Sequence, residues 1–126
     1  MALLTGTARV EEAKDLLDDI IARSVDERDE HVAGEMVLAS PFMHHYLFEA
    51  LWQYGRTRSI LTIIKVRWGR WVQQGYPTTW ENWNVDFPDG SQCHAFSAHP
   101  RYHLAKIFQS QATDAAGVSD TSQEAT

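Results

Sequence analysis

The segment SPFMHHYLFEALWQYG, residues 40–55, constrains the fold more than any other part of the sequence. Ser40 is a favoured N-cap residue, Pro41 suits the first helical position, and Gly55 is a common C-terminal stop. The helix between these signals carries apolar side chains around nearly its whole circumference, and such a helix must be covered on most sides by other elements. The sequence therefore predicts an inner helix within a fold of packed helical layers.

Three further segments have helical periodicity, namely residues 7–24, 57–74 and 100–109. Thr7 and Thr57 are predicted to be the N-caps of the first two of these helices, because their hydroxyl groups can accept hydrogen bonds from the first turn. Short links join helices in series, which is typical of helical hairpins. The predicted fold class is all-α, built from helical hairpins, with one long aromatic-rich loop between residues 75 and 99.

The chain has 126 residues, which allows one ordinary domain. Residues 1–109 are predicted to form the helical domain. Residues 110–126 contain no aromatic residue and almost no large aliphatic one, so they cannot offset the entropy of ordering and are predicted to be a disordered polar tail. The apolar helix faces exceed what four helices can cover, so we expect packing against the remainder of a parent enzyme or against a second copy.

Charge and cysteine content limit the classes of partner and the compartment. The formal net charge is −6 and the isoelectric point is about 5.4, so no nucleic-acid partner is predicted. A lone cysteine, Cys93, excludes an intramolecular disulfide and is expected to be a small buried side chain. The N-terminus lacks signal-peptide features and no segment is long enough to cross a bilayer, which predicts a cytoplasmic protein without a membrane partner.

The acidic run VDERDE, residues 25–30, is predicted to be a solvated connector.

The stretch GYPTTWENW places one carboxylate, Glu81, between Trp80 and Trp83. A carboxylate held between indole rings is partly desolvated, which would raise its pKa and suit general acid or base catalysis. The flat indole faces of the two tryptophans could stack against a sugar ring. The alternative is an ordinary solvated glutamate beside two core tryptophans, and composition does not separate the two.

Histidines provide the other candidate groups. His94 could hydrogen-bond a sugar hydroxyl, orient Glu81, or be a satisfied structural residue. His94, His99 and His103 lie close in sequence as metal sites require, but the proline after His99 places that residue before the helix, and no other ligand stands at a suitable spacing. No metal and no cofactor are therefore predicted, although a metal-binding helical protein remains a third hypothesis. His45 is four residues before Glu49, which favours a structural hydrogen bond between them.

The sequence from residue 39 to residue 108 resembles the C-terminal part of the catalytic domain of bacterial α-L-rhamnosidases, a six-hairpin glycosidase class. SPFMHHYLFEALWQYGRTRSILTIIKVRWGRWVQQGYPTTWENW is similar to that family's inner helix, its turn at Gly-Arg, its outer helix with Arg-Trp-Gly, and a Thr-Thr loop that carries a glutamate. GSQCHAFSAHPRYHLAKIF resembles the family's Ser-x-x-His-Ala-Trp-Ser-x-x-Pro segment, with Phe96 where a tryptophan is common.

The resemblance implies a partial (α/α)6 toroid in which Glu81 is the general base of an inverting reaction on terminal α-L-rhamnosyl residues. It implies that His94 binds the sugar and that Trp80 and Trp83 form the pocket walls. In the family the general acid comes from an upstream segment that this chain does not contain, so the resemblance implies a segment of a hydrolase that acts on a rhamnose-containing glycoside. The alternative is a non-catalytic carbohydrate-binding or helical interaction fragment.

Overall fold

The computed structural model describes residues 1–7, 9–84 and 90–120. The helices are α1 (Val10–Val25), α2 (His44–Gln53), α3 (Thr57–Gln73) and α4 (Pro100–Asp120), and a 3-10 turn at Ala95–Ala98 precedes α4. No strand occurs within the described ranges. The prediction of an all-α fold built from helical hairpins is confirmed, and α2 and α3 form the hairpin with the shortest link.

Two glycines end α2 and α3 as the sequence predicts. Gly55 and Gly75 have φ angles of +69° and +79°, a left-handed conformation that only glycine adopts without steric cost. The backbone N–H of the residue after each glycine donates a hydrogen bond back to a carbonyl in the last helical turn, that of Leu51 at 2.8 Å and that of Trp71 at 2.9 Å. These bonds satisfy carbonyl groups that the helix ends would otherwise leave unpaired.

The predicted helix start is confirmed at Pro100, where α4 begins, and the three predicted caps are wrong. Ser40 does not cap α2, because Met43 holds that cap position without a side-chain bond; the Ser40 Oγ accepts a hydrogen bond of 3.2 Å from the Met43 N–H in the turn before the helix. Thr57 lies inside the first turn of α3, and the residue before it holds the cap position without a side-chain bond. Thr7 lies before the cap position of α1 and its hydroxyl donates to a carbonyl in the N-terminal turn. A threonine hydroxyl that finds another partner does not cap the helix.

The core surrounds α3, which packs against α1, α2 and α4. Almost fully buried apolar side chains come from all four helices: Ala13, Leu17, Phe48, Leu51, Ile60, Ile63 and Ile107. The sequence predicts that the helix in 40–55 is covered on most sides, and within α2 only Tyr46 and Gln53 are exposed. Phe42, Met43 and Tyr54, which flank α2, are each more than a third exposed.

Helix α4 continues to Asp120, past the boundary predicted at residue 109. Residues 110–120 are helical where the sequence predicts the beginning of a disordered tail, while 121–126 lie outside the described residues. Residues 111–116 are exposed, so helix propagation from α4 through Ala and Gln residues accounts for this part without packing. No helix among the described residues is both long and apolar enough to cross a membrane.

A buried arginine joins α3 to the connector that follows α1. The Arg67 side chain is fully buried, and its guanidinium donates to the carbonyls of Ser24 and Asp26 and to the Asp29 carboxylate at 2.8 Å. Burial lowers the pKa of Arg67, and the ion pair with Asp29 opposes that shift. The connector is therefore not simply solvated, because the Asp29 side chain is only 19% exposed and also pairs with Arg70.

We expect Arg67→Gln to lower the free energy of unfolding by about 3–5 kcal/mol, since it breaks a buried ion pair and leaves carbonyl groups without donors. Urea denaturation followed by far-UV circular dichroism measures the change. Arg58→Gln, at an exposed position on the same helix, is the matched control and should change the free energy by less than about 0.5 kcal/mol. Equal midpoints for the two variants would contradict the role assigned to Arg67.

Candidate functional site

Two parts of the segment between α3 and α4 pair through backbone hydrogen bonds, and they carry two of the predicted site residues, Glu81 and His94. The Glu81 N–H donates to the Ser91 carbonyl at 2.9 Å, and the His94 N–H donates to the Thr79 carbonyl at 2.8 Å. The Thr79 hydroxyl donates in return to the His94 carbonyl at 2.9 Å. Glu81 and His94 therefore lie on paired segments.

Both tryptophans of the loop are part of the hydrophobic core. Trp80 and Trp83 are 4% and 8% exposed, and both rings stack on Trp71 of α3 with centroid separations of 6.1 and 5.4 Å. The indole N–H of Trp83 donates to the Ala39 carbonyl at 2.7 Å, which ties the loop to the segment before α2. These rings therefore anchor the loop in the hydrophobic core.

A buried serine fastens the 3-10 turn to the same core. The Ser97 hydroxyl donates to the Trp80 carbonyl at 2.6 Å, and the Ser97 carbonyl accepts from the indole N–H of Trp68 at 2.7 Å. Ser97 is fully buried, so both bonds lie out of contact with water. The turn that precedes α4 is thus fixed relative to α3 and to the loop.

The Glu81 side chain is exposed, and its Oε2 accepts a hydrogen bond of 3.0 Å from the Ser91 N–H. The prediction that Trp80 and Trp83 enclose the carboxylate is wrong, and the alternative of a solvated glutamate beside two core tryptophans describes the observed burial. Glu81 lies in a bend between the two tryptophans, and its side chain is exposed while both rings are buried. Cys93 is also exposed, contrary to the expectation of a buried thiol.

His94 is half-buried and begins a row of aromatic side chains that continues along the surface. Its ring lies 5.2 Å from Phe96, which is 65% exposed. Phe42 lies 5.5 Å from Phe96 and 5.7 Å from Tyr46, all between ring centroids. We call His94, Phe96, Phe42 and Tyr46 the exposed aromatic row. Phe42 and Tyr46 were expected in a covered helix, and the one local signal for the row is Phe96, two residues after His94.

Three histidines form a separate cluster where α2 meets the start of α4. His45, His99 and His103 each present a ring nitrogen, and these nitrogens lie within 4.8 Å of one another. His45 Nδ1 and His103 Nε2 share a hydrogen bond of 3.1 Å. His99 Nε2 lies 2.8 Å from the Pro41 carbonyl, and His99 Nδ1 is buried without a hydrogen-bond partner among the described residues.

Burial keeps several of these rings neutral near pH 7. Desolvation lowers the pKa of His99 to about 4 and that of His103 to about 3, and the neighbouring histidines act in the same direction. His44, fully buried against aromatic rings, has a pKa lowered to about 4 by the same cause. A neutral imidazole has one nitrogen with a lone pair, which can accept a hydrogen bond or bind a metal ion.

The cluster differs from the grouping considered in the sequence. His94 belongs to the exposed aromatic row, and His45 takes its place beside His99 and His103. The predicted bond between His45 and Glu49 is also wrong, because His45 bonds to His103 while Glu49 pairs with Lys106 at 3.2 Å. Spacing along one helix could not find this arrangement, because His45 comes from a different helix.

The family model for the bacterial α-L-rhamnosidase six-hairpin glycosidase domain matches residues 1–107. The match covers most of the chain and the all-helical fold is consistent with it, so the chain belongs to this family. Neither the search of curated proteins nor the search of solved structures found a significant match.

We expect Trp83→Ala to lower the free energy of unfolding by about 3–5 kcal/mol, because it removes a buried indole from a stack of aromatic rings. Phe96→Ala removes an exposed aromatic ring and should change the free energy by less than about 0.5 kcal/mol. Urea denaturation of both variants beside the parent chain measures the difference. A Trp83→Ala variant as stable as Phe96→Ala would show that the tryptophan does not anchor the loop.

Proposed function

We propose that this chain supplies the general base of an inverting glycoside hydrolase that acts on terminal α-L-rhamnosyl residues, and that Glu81 is that base. Family membership supports the substrate class. The observation that carries the role of Glu81 is its reciprocal pairing with Ser91: the Glu81 N–H donates to the Ser91 carbonyl, and the Ser91 N–H donates to Glu81 Oε2 at 3.0 Å. The pairing fixes both the backbone and the carboxylate of an otherwise exposed residue.

In the proposed reaction, water attacks the anomeric carbon on the face opposite the leaving group. A general acid protonates the leaving oxygen while the Glu81 carboxylate takes a proton from the water, so the configuration inverts. The two carboxyl groups of such a pair stand about 6.5–9.5 Å apart to admit the water. A carboxylate has two oxygens, so one can accept the Ser91 hydrogen bond while the other receives the proton.

The exposed aromatic row is the proposed sugar-binding surface beside Glu81. His94 carries ring nitrogens that can hydrogen-bond a sugar hydroxyl, and Phe96 presents an exposed face next to it. Trp80 and Trp83 do not form walls of the sugar pocket, because both are buried in the core. We propose instead that they are positioning residues, which fix the backbone of Glu81 against the core.

The proposed partner in catalysis is the part of a parent enzyme that carries the general acid. Apolar exposure at Val37 and Met43, which line one surface pocket and lie outside the exposed aromatic row, supports packing of this face against further helices, because large exposed apolar patches mark contact surfaces. A second copy of the chain would bury the same side chains.

A non-catalytic carbohydrate-binding role is the second candidate, and the exposed aromatic row favours it. Saturable quenching of tryptophan fluorescence by L-rhamnose, with no hydrolysis by any polypeptide that also carries a general acid, would support this second role. Hydrolysis that depends on Glu81 would exclude it.

We expect Glu81→Gln to lower kcat for p-nitrophenyl α-L-rhamnoside by about 10²–10⁴-fold, because the amide cannot accept the proton from water. The assay uses a polypeptide in which residues 1–126 are joined to the helices that carry the general acid. Glu11→Gln, at an exposed position on α1, is the control and should retain the parental rate. Equal rates for Glu81→Gln and the parent would refute the assignment.

We expect Phe96→Ala to raise KM for the same substrate by about 2- to 12-fold with a smaller change in kcat. An aromatic contact contributes about 0.5–1.5 kcal/mol, and this one would act on bound sugar in the ground state as well as in the transition state. Initial rates over a range of substrate concentrations separate the two constants. An unchanged KM would remove Phe96 from the sugar-binding surface.

A further inference from the structure

The cluster of His45, His99 and His103 has nearly the dimensions of a metal site. The nitrogens of His45 and His103 that face each other are 3.1 Å apart. Two imidazole nitrogens on a tetrahedral Zn²⁺, each at about 2.0–2.1 Å, are separated by about 3.3–3.4 Å. The three candidate nitrogens lie within 4.8 Å of one another, so shifts of no more than about 1.5 Å bring them to the separations that a bound Zn²⁺ requires.

His99 gives an independent reason to assign a ligand to this place. The Pro41 carbonyl can only accept, so His99 Nε2 carries the proton and Nδ1 is left with a lone pair. That Nδ1 is buried and has no hydrogen-bond partner among the described residues. A buried acceptor without a partner is unfavourable, and a bound cation would satisfy it.

The surroundings of His103 have the form of an outer coordination shell. Glu49 Oε1 lies 3.6 Å from His103 Nδ1, on the side of the ring away from His45. Metal-binding histidines commonly orient their second nitrogen toward a carboxylate in this way, which fixes the tautomer and strengthens the ligand. Lys106 pairs with Glu49 at 3.2 Å and offsets part of its negative charge, so the carboxylate orients the ring more than it attracts the ion.

We propose that His45, His99 and His103 bind a divalent transition-metal ion of the Zn²⁺ type that joins α2 to the start of α4. Three imidazole ligands and no carboxylate ligand favour such an ion over Mg²⁺ or Ca²⁺, which require oxygen ligands. A water molecule takes the fourth position of the tetrahedron. His45 is half-buried and gives the ion access from solvent. The proposed ligands include neither Glu81 nor a residue of the exposed aromatic row, and His45 lies 5.3 Å from Tyr46 of that row between ring centroids.

The test measures metal binding by the full chain without an affinity tag. A Cys93→Ser background removes the exposed thiol, which would bind the same ions. Competition with a chromophoric chelator gives the Zn²⁺ affinity, and Co²⁺ in place of Zn²⁺ reports geometry through its visible absorption. We expect one equivalent of Zn²⁺, and intense Co²⁺ bands typical of tetrahedral coordination.

Variants assign the ligands. His45→Gln should weaken Zn²⁺ binding by more than about 100-fold, because loss of a ligand exceeds the 10–100-fold effect of losing an outer-shell group, and Glu49→Gln should show that smaller effect. His31→Gln, an exposed histidine outside the cluster, should bind as the parent does. Octahedral Co²⁺ spectra, or equal affinity of the parent and His45→Gln, would overturn the proposal. Because His45 is only half-buried, circular dichroism should show that His45→Gln is folded. The Co²⁺ spectrum of the parent chain tests tetrahedral coordination even if that variant does not fold.

Discussion

The buried indole of Trp83 is the interaction on which the rest of the structure depends. A tryptophan in a core needs a partner for its N–H, and Trp83 finds it at the Ala39 carbonyl, which joins the loop to the segment before α2. The same ring stacks on Trp71 and lies 5.6 Å from the guanidinium of Arg67, which in turn binds Asp29 in the connector after α1. Trp83 thus contacts the segment before α2 and helix α3, and Arg67 extends this link to the connector after α1.

The burial of the loop tryptophans explains how the exposed carboxylate of Glu81 is held in place. Trp80 turns into the core while its neighbour Glu81 turns outward, and Ser91 fixes Glu81 through two hydrogen bonds. The cost of ordering the loop is met by aromatic burial, so the residues on its outer face are free to contact a ligand. His99 of the histidine cluster follows the 3-10 turn that Ser97 fastens to the same core.

Local signals in the sequence predicted much of the fold. Gly55 and Gly75 end their helices because a left-handed residue is required there. A single glycine is enough to predict such a helix end. The burial of Trp83 and the pairing of His45 with His103 depend on which elements meet in space, and neither periodicity nor spacing within one helix contains that information. The same limit explains why Trp80 and Trp83 were expected to line a pocket around Glu81, whereas they are buried in the core beneath its loop.

The most direct measurement identifies the products formed by a Glu81→Ala variant with p-nitrophenyl α-L-rhamnoside and sodium azide, again in a polypeptide that carries the general acid. Removing the base leaves space in which azide can attack without losing a proton. The account predicts slow turnover in water and formation of β-L-rhamnosyl azide, the inverted product, which nuclear magnetic resonance identifies. Parental hydrolysis without an azide adduct, or an adduct of retained configuration, would contradict the role of Glu81.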